Sequence, residues 1–467
     1  MEERIIHKPH KGKEYSAVRR IGFSFLMVIL IGSILLAMPF SVHKGSTGTY
    51  LDHLFTATSA TCVTGLVTKV TCQEYSLIGQ IIILILIQIG GLGFLTLLSM
   101  MYVLLKRKLS FSNKLVMQEA LNKDSLKDLS LYIKRVIKYT AFFEIVGAIC
   151  LALVFVPEFG LIKGIYYSIF HSISAFCNAG FDVLGDSSLC LYAHHIWVNL
   201  VICGLIIAGG LGFIVWIDLR TSLIKYRNFY KRFTFKRYLT SLSLHTKIVV
   251  MMTGILVLSG TMGIFLLEMN NGSTIGNFSL DKQILASFFQ SVTLRTAGFA
   301  TIDIKALTNA TKLLMCVFMF IGGSPAGTAG GIKTVTFFIM ILYVRCLKRG
   351  ESQVHVMKKT ISDQIVKRSL TIAIVSLFIV ITGIFLLSIF ENIEFIDLMF
   401  EVFSAFATVG LTASVTPLLS SIGKIIIIIL MYIGRIGPIT MVLIFAKKYS
   451  LKKGKDINYV EERVLIG

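Results

Sequence analysis

One segment occurs four times in this chain, and the repeat constrains the fold more than any other feature of the sequence. Each copy runs from a Phe to a Gly ten residues later, with an Ala or a Thr five residues before the Gly. The copies are Phe55–Gly65, Phe170–Gly180, Phe288–Gly298 and Phe400–Gly410. Their glycines are 115, 118 and 112 residues apart. A repeat of nearly constant period predicts four copies of one structural unit.

Long apolar segments precede and follow each copy. Hydrophobic residues make up 55% of the 467 residues, and the mean hydropathy is +0.78. About 20 apolar residues suffice to cross a bilayer, so these segments predict an all-α integral membrane protein. The eight predicted transmembrane helices are Ile21–Phe40, Ile81–Leu105, Phe142–Val156, Trp197–Ile217, Ile248–Leu267, Leu313–Phe320 with Thr334–Val344, Leu370–Phe390 and Ile425–Phe445.

The apolar stretch inside each copy is too short to cross the membrane. In the first copy, Leu51–Ala60 forms about three helical turns, which reach about halfway through a hydrocarbon core of roughly 30 Å. Irregular backbone at that depth must be buried in protein or line water. We therefore predict four repeated helix–pore hairpin–helix units around one central pore. The expected segments are a cytoplasmic tail 1–20, pore units 21–105, 106–217, 218–347 and 348–446, and a cytoplasmic tail 447–467.

The basic residues indicate which side of the membrane is cytoplasmic. Of 46 Lys and Arg, 36 fall in the stretches 1–20, 106–138, 220–247, 345–368 and 447–463. All five stretches lie on one side of an eight-span topology, and the positive-inside rule makes that side the cytoplasm, with both termini there. The net charge of +21 is explained by this topology and does not predict nucleic-acid binding.

The last four residues of each copy are a candidate ion filter. A narrow pore must replace the water of an ion with oxygens, and backbone carbonyls do so when their peptide planes turn inward. Glycine permits a positive φ and adds no Cβ to the lumen. Since no segment is acidic, selection is expected from carbonyl dipoles; the alternative, glycines that merely end short helices, is disfavoured by four identical contexts. The candidate filter residues are Cys62, Val63, Thr64, Gly65, Cys177, Asn178, Ala179, Gly180, Arg295, Thr296, Ala297, Gly298, Ala407, Thr408, Val409 and Gly410.

A second glycine motif follows each copy, inside the predicted second helix of the unit. It reads Gly90-Gly91, Gly209-Gly210, Gly322-Gly323 and Gly434-Arg435. Only in the third unit does it continue into a glycine-rich stretch with a proline, so we expect this helix alone to be broken. Such a stretch at membrane depth suits a gate; the alternative is a flexible connection in a cytoplasmic loop. The candidate gate comprises Gly322, Gly323, Ser324, Pro325, Ala326, Gly327, Thr328, Ala329, Gly330, Gly331 and Arg435.

Three basic residues lie within or next to these segments. Arg435 stands near the middle of a predicted span, where an Arg costs about 2.5–3.5 kcal/mol on insertion, so it should face the pore or a partner. The alternative is that it is buried in a contact between helices. Arg295 is expected to brace the third filter segment, and Lys333 to mark the cytoplasmic end of the broken helix.

The remaining residues do not indicate enzymatic chemistry. The sequence has no recognisable nucleophile–base pair, phosphate-binding loop or metal-ligand spacing, so we expect neither an enzyme nor a cofactor bound by this chain. Glu144 lies alone in an apolar helix and is interpreted as a structural residue. Cys72 and Cys190 fall on the outer side and could pair, although nothing in the sequence demands it.

The four candidate filter segments, each followed by Leu or Phe, resemble those of the Trk/Ktr/HKT superfamily of potassium transporters. The resemblance covers nearly the whole chain, and four units without extra N-terminal spans are most similar to the bacterial Ktr membrane subunit. It implies that potassium is the transported ion and is held at filter carbonyls. In plant relatives a Ser in place of the first filter glycine goes with sodium transport, so four glycines imply potassium selectivity. It also implies that Gly322–Gly331 closes the pore. Arg435 would then place a positive charge below the filter, beside this loop, and could donate hydrogen bonds to the loop carbonyls.

The resemblance further implies a homodimer in the cell membrane, bound to a cytoplasmic ring of RCK subunits that carry ATP or ADP. The short segment after the last span leaves no room for a ligand-sensing domain, and the basic loops suit an acidic surface or anionic lipid. A channel-like uniporter, with or without sodium dependence, is the leading interpretation. The alternative is an ion-coupled secondary symporter, which would need broken helices related by inverted repeats. All four units run in one direction, which favours a pore.

Overall fold

The computed structural model describes residues 11–93, 129–229 and 234–437, and this part of the chain is mostly helical. The predicted tail 447–467 and the basic residues from 106 to 128 lie outside the described residues. The same holds for residues 1–10 and for the distal ends of the predicted spans Ile81–Leu105 and Ile425–Phe445.

The helices follow the four sequence copies, which are called repeats one to four below. Repeat one contains α1 (Lys11–Leu36), α2 (Tyr50–Cys62), α3 (Thr71–Glu74) and α4 (Leu77–Leu92). Repeat two contains α5 (Leu129–Phe159), α6 (Leu161–Cys177), the 3-10 turn Cys190–Tyr192, α7 (Ile196–Leu211) and α8 (Phe213–Phe229). Repeat three contains α9 (Phe235–Ser241), α10 (Leu244–Glu268), α11 (Leu280–Thr293), α12 (Asn309–Phe320) and α13 (Thr334–Lys348). Repeat four contains the antiparallel strands β1 (His355–Val356) and β2 (Lys359–Thr360), then α14 (Asp363–Phe390), α15 (Phe395–Ala407), the 3-10 turn Thr416–Leu418 and α16 (Ser421–Ile436).

Several of these helices are long and apolar enough to cross a membrane. Within the described ranges, three helical segments meet that length and composition: Leu131–Phe159, Leu244–Glu268 and Asp363–Phe390. A fourth span results if α7 and α8, which meet at an angle of 89°, are counted together. Other predicted spans correspond to shorter apolar helices, among them α4 and α12.

The packing of the helices joins the four repeats into a closed ring. In every repeat the long first helix packs against the short helix that ends in the motif: α1 on α2, α5 on α6, α10 on α11 and α14 on α15. The second helix of each repeat also packs against the short helix of the next repeat: α4 on α6, α7 on α11, α12 on α15, and α16 back on α2. The chain therefore closes on itself after the fourth repeat.

The second helices begin at side-chain caps that the sequence supplies. The hydroxyls of Ser76, Thr308 and Ser420 each accept a hydrogen bond from the backbone amide three residues further on, at 3.1–3.3 Å. Such caps satisfy amides that have no partner inside the helix. They set the start of α4, α12 and α16 at the same position of the repeat.

The second helices also end at a common position, which corrects one prediction. Gly93, Gly212 and Gly437 follow α4, α7 and α16 directly and have positive φ values of 79°, 87° and 97°. Glycine adopts this left-handed backbone readily, and the helix stops there. The expectation that only the third of the four equivalent helices is broken is therefore wrong. The span predicted over Trp197–Ile217 is two helices, because Gly212 adopts a positive φ inside the apolar run and ends α7 there.

The first glycine of each predicted second-helix motif is a close-packing residue in three repeats. A methyl group added at Gly90, Gly209 or Gly434 would collide with a backbone carbonyl in the last turn of the short helix of the same repeat. The carbonyls belong to Thr61, Phe176 and Phe406, which occupy the same motif position. The missing Cβ lets the second helix lie directly against the end of the short helix.

This packing predicts the effect of adding one methyl group on α7. Gly209→Ala should lower the melting temperature of the detergent-purified protein, since overpacking costs about 1–3 kcal/mol. Besides the Phe176 carbonyl, the new methyl would lie 2.8 Å from side-chain oxygens of Asn178 and Thr328. Gly204→Ala on the same helix is the control, because no atom of the described residues lies within 4 Å of a methyl group there. Equal melting temperatures for the two variants would contradict the packing.

Candidate functional site: the glycine ring and the 322–331 loop

The four candidate filter segments share an unusual backbone. The residue two before each motif glycine has a positive φ: 57° at Val63, 60° at Asn178, 66° at Thr296 and 52° at Thr408. The motif glycines themselves have φ values of 69–100°. Val63, Thr296 and Thr408 are β-branched and rarely adopt the left-handed conformation, so the surrounding structure must impose it in repeats one, three and four, whereas Asn178 tolerates it more readily. Strain of this kind is concentrated at functional sites.

The four motif glycines form a closed ring, called the glycine ring below and made of Gly65, Gly180, Gly298 and Gly410. Each glycine lies against the carbonyl oxygen of the residue that precedes the next glycine of the ring. A methyl group at Gly65, Gly180 or Gly298 would lie 2.5, 2.7 and 2.6 Å from the carbonyl oxygens of Ala179, Ala297 and Val409. At Gly410 it would collide with the carbonyl of Thr64, which closes the ring. Any side chain at these positions would disturb the neighbouring carbonyl.

Serines of the short helices hold the segments in place, a role that the sequence reasoning missed. The hydroxyl oxygens of Ser59 and Ser404 each accept a hydrogen bond from the amide of the motif glycine in their own repeat, at 3.0 Å. Ser174 instead donates to the carbonyl of Phe181 at 2.7 Å. These serines stand six residues before the glycine in repeats one, two and four, whereas repeat three has Val292. The shared position in three copies was a signal that could have identified them.

The third segment is attached differently. The Arg295 side chain is buried, with 5% of its surface exposed, and its Nη1 lies 3.5 Å from the carbonyl oxygen of Ile321. Its own carbonyl accepts a hydrogen bond from Nδ2 of Asn178 at 3.1 Å. The Arg295 guanidinium thus contacts the residue that follows α12, and its backbone links the second and third segments.

A cavity of about 660 Å³ opens on the glycine ring, on the side of the loops that follow the segments. All four ring glycines line it, together with Asp182, Asp186 and Asp303. In the loop after Gly180, outside every helix, burial raises the pKa of Asp182 to about 7. The cavity gives a solute of a few ångströms access to the ring from this side.

The segment Gly322–Gly331, called the 322–331 loop below, leaves and re-enters at one point of the fold. The amide of Ile332 donates to the carbonyl of Phe320 at 3.2 Å, and the amide of Thr334 donates to the carbonyl of Gly323 at 3.1 Å. The ends of α12 and α13 therefore lie side by side. The loop between them therefore has both of its ends hydrogen-bonded to each other and is not a loose connection.

The 322–331 loop binds the end of α7, where the helix stops at Gly212. The amides of Ser324 and Thr328 donate to the carbonyls of Gly210 and Gly209 at 3.0 and 3.3 Å. In return, the amide of Phe213 donates to the carbonyl of Ala326 at 3.0 Å. The last carbonyls of a helix have no partner inside it, and here the loop supplies one.

The same loop lies directly beside three of the candidate filter segments. The Thr328 hydroxyl is 3.2 Å from the carbonyl oxygen of Phe176 and 3.2 Å from Oδ1 of Asn178. The Gly330 amide donates to Oγ1 of Thr296 at 3.3 Å, and a methyl at Gly330 would meet Oγ1 of Thr408. The loop thus touches repeats two, three and four at the base of the ring.

Two cationic side chains hold the loop by its carbonyls. Arg435 donates through Nη1 to the carbonyl of Thr328 and through Nη2 to the carbonyl of Gly90. Its guanidinium therefore bridges the fourth, third and first repeats. Nζ of Lys333 donates to the carbonyl of Ala329 at 2.6 Å. The lysine contacts the loop itself, beyond the predicted role of marking a helix end.

Glu144, which sequence reasoning set aside as an isolated carboxylate, has partners near the second segment. Nε2 of Gln88 donates to its Oε1 at 2.9 Å, and Sγ of Cys177 lies 3.9 Å from the same oxygen. No sequence signal connected these residues, because they come from two different repeats. Cys72 and Cys190, left open as a disulfide pair, are both free thiols.

Comparisons with known proteins identify the family and the fold. The family model named TrkH, a cation transport protein, matches residues 18–454. The potassium/sodium uptake protein NtpJ of Enterococcus hirae is 39% identical over 468 residues, which cover 99% of this chain and 100% of that protein. Ktr system potassium uptake protein B of Bacillus subtilis is 39% identical over 96% of each chain. The solved structure of the potassium transporter TrkH from Vibrio parahaemolyticus has a TM-score of 0.74, covers 95% of this chain and 87% of that one, and at 17% identity shares the fold.

The serine contacts predict a measurable loss of stability. Ser404→Ala leaves the buried amide of Gly410 without its acceptor, and an unsatisfied buried donor costs about 1–3 kcal/mol. The midpoint of thermal unfolding in detergent should fall. Ser388→Ala is the control, since Ser388 is exposed and its hydroxyl bonds only to its own helix, at the carbonyl of Phe385. If the two variants unfold at the same temperature, Ser404 does not support the segment.

Proposed function

Because this chain belongs to the TrkH family of cation transport proteins, we propose that it takes up potassium through a pore whose selectivity filter is the glycine ring. The chain is a multi-pass integral membrane transporter, and the prediction of a transport protein rather than an enzyme is confirmed by its family. The names of the relatives from Enterococcus hirae and Bacillus subtilis support potassium as the substrate. The Enterococcus hirae name adds sodium, which supports sodium either as a second permeant ion or as a requirement for transport.

The proposed architecture is four pore units around one axis, with eight transmembrane helices and both termini in the cytoplasm. The units are 21–105, 106–217, 218–347 and 348–446. The packing of each second helix on the short helix of the next repeat supports this arrangement, because it returns to the first repeat after the fourth. The family-level likeness over residues 18–454 supports it as well.

The closed ring of glycines and carbonyls is the observation that carries the proposal. Each ring glycine lies against the carbonyl of the neighbouring segment, so four carbonyls from Thr64, Ala179, Ala297 and Val409 surround one axis. Carbonyl oxygens replace the hydration shell of potassium. The four candidate filter segments contain no carboxylate, so selection would rest on carbonyl dipoles and on the size of the ring.

The 322–331 loop is the proposed gate. It lies against the ends of three candidate filter segments, and its backbone is anchored to the helix end at Gly209–Gly212 by hydrogen bonds that a movement would have to break. Arg435 would hold the closed position through the Thr328 carbonyl. Its positive charge would also raise the barrier to a cation below the ring.

The proposed assembly is a homodimer of this chain with a cytoplasmic ring of nucleotide-binding RCK subunits. The name of the Bacillus subtilis relative, a protein of the Ktr system, supports a multi-component system. ATP and ADP would bind to the ring subunits and not to this chain. If the RCK subunits bind one conformation of the cytoplasmic loops more tightly, they shift the equilibrium between the closed and open positions of the gate.

Uptake assays in cells that lack their own potassium uptake systems test the filter. Gly65→Ser should lower the ratio of potassium to sodium uptake by several-fold to about tenfold. A tenfold change corresponds to about 1.4 kcal/mol less discrimination between the two ions. The serine Cβ would lie 2.5 Å from the Ala179 carbonyl, at a φ of 100° that favours glycine. Gly254→Ser on α10 is the control, because a Cβ there would meet no atom within 4 Å in the part of the chain that the structure describes. An unchanged ratio in Gly65→Ser would rule out the filter.

Removing the tip of the loop tests the gate and its regulation together. Deletion of Ala326–Ala329 removes the Thr328 carbonyl that Arg435 binds, so flux should rise or cease to depend on nucleotide. Potassium flux would be measured in vesicles from the native membrane, with ATP or ADP on the cytoplasmic side. Unaltered flux that still responds to nucleotide in the deletion would argue against the gate. Native flux that is indifferent to both nucleotides would argue against the partner.

A further inference from the structure

A buried ion pair joins the third and fourth repeats. Nζ of Lys312 lies 2.6 Å from Oδ1 of Asp397, and the two side chains are 5% and 12% exposed. Lys312 lies in the first turn of α12, and Asp397 lies in the first turn of α15. Removing one member of such a pair leaves a buried charge without a partner, which is strongly unfavourable. The pair is therefore a firm link between the two helices.

The repeat places corresponding residues at the other joints, and they differ in chemistry. The position of Lys312, ten residues before the second-helix glycine, is Gln80, Asn199 and Lys424 in repeats one, two and four. Lys424 pairs with Asp52 of repeat one at 2.7 Å, and Gln80 accepts a hydrogen bond from Tyr166 of repeat two at 2.8 Å. Nδ2 of Asn199 donates instead to the carbonyl of Tyr192 in its own repeat. Ionic links thus flank the fourth repeat on both sides.

The link between Lys312 and Asp397 connects the two helices that lead to the loop and to the fourth filter segment. From Lys312, α12 continues to Phe320, two residues before the 322–331 loop begins. From Asp397, α15 continues to Ala407, the first residue of the fourth candidate filter segment. The two helices pack along their length, and the Phe320 ring lies 5.9 Å from Phe403 and 6.3 Å from Phe406.

The loop and the fourth segment meet again at the other end of these helices. A methyl at Gly330 would lie 2.9 Å from the carbonyl oxygen of Ala407 and would collide with Oγ1 of Thr408. Two helices, the ion pair and this loop contact therefore form a closed frame. A tilt of α12 that moves the loop must either break the pair or displace α15 and the segment that follows it.

We propose that the Lys312–Asp397 pair is a positioning device that couples the position of the 322–331 loop to the geometry of the fourth filter segment. The inference rests on the proposed roles of the loop and the glycine ring. Lys312 and Asp397 act through α12 and α15 and do not touch the ion. Ion selectivity and gating are then linked properties, and the link lies in one of the four joints between repeats.

Single and paired substitutions test the coupling. Lys312→Met and Asp397→Asn should each lower the ratio of potassium to sodium uptake by a few-fold and weaken the response of flux to ATP and ADP. The exchange Lys312→Asp with Asp397→Lys restores the attraction and should restore both readouts in part. Arg349→Gln is the control, because Arg349 forms an exposed pair with Glu351, at 3.8 Å, away from both helices.

A purely structural role gives a different pattern. If the single variants reduce the amount of protein in the membrane but leave the uptake ratio and the nucleotide response of the remaining protein unchanged, the coupling is overturned. If the single variants fail to fold, the neutral pair Lys312→Met with Asp397→Leu keeps the volume and removes both charges. This variant should fold and show an altered ratio; an unaltered ratio overturns the proposal. Gly65→Ser distinguishes failure of the filter proposal from failure of the coupling proposal. If Gly65→Ser changes the ratio of potassium to sodium uptake while the Lys312 variants do not, the filter proposal stands and only the coupling is rejected.

Discussion

The contact between each ring glycine and the carbonyl of the next segment is the constraint on which the remaining structure depends. Four backbones can approach this closely only where no Cβ intervenes, and a positive φ at each glycine turns the chain into the ring. The short helices then have to end at the same depth. The serines that bind the ring amides fix the segments in repeats one and four, and the glycines that let the second helices approach hold the ends of the short helices in repeats one, two and four.

The third repeat departs from the others, and its departure creates the loop. Its short helix lacks the serine, its second helix ends after 12 residues, and the chain makes the 322–331 excursion before it resumes as α13. The loop is held in place because its amides bind the carbonyls that repeat two leaves at the end of α7, and because Arg435 and Lys333 bind its own carbonyls. A segment held by several modest hydrogen bonds, with no apolar core of its own, suits a part that moves.

Much of the fold was predictable from the four copies, whereas the links between copies were not. The Phe-to-Gly motif located the short helices and the ring glycines, because each position in one copy is supported by three others. The break at Gly212 was missed, since one glycine within an apolar run does not by itself distinguish a helix end from a packing site. Lys312 and Asp397 stand 85 positions apart in the chain, and no local pattern indicates that the closed ring brings them together. The serine contacts were partly predictable: the sequence shows a serine at the same position in three copies, but it does not show which group each serine binds.

If the glycine ring is the filter, a heavy cation that replaces potassium must bind there. Crystals of the purified protein in thallium, an electron-dense stand-in for potassium, would show its position by anomalous scattering. Ion binding at the ring predicts a peak on the axis of the ring, within coordination distance of the carbonyl oxygens of Thr64, Ala179, Ala297 and Val409. Thallium bound only elsewhere, with no peak at the ring, would contradict it.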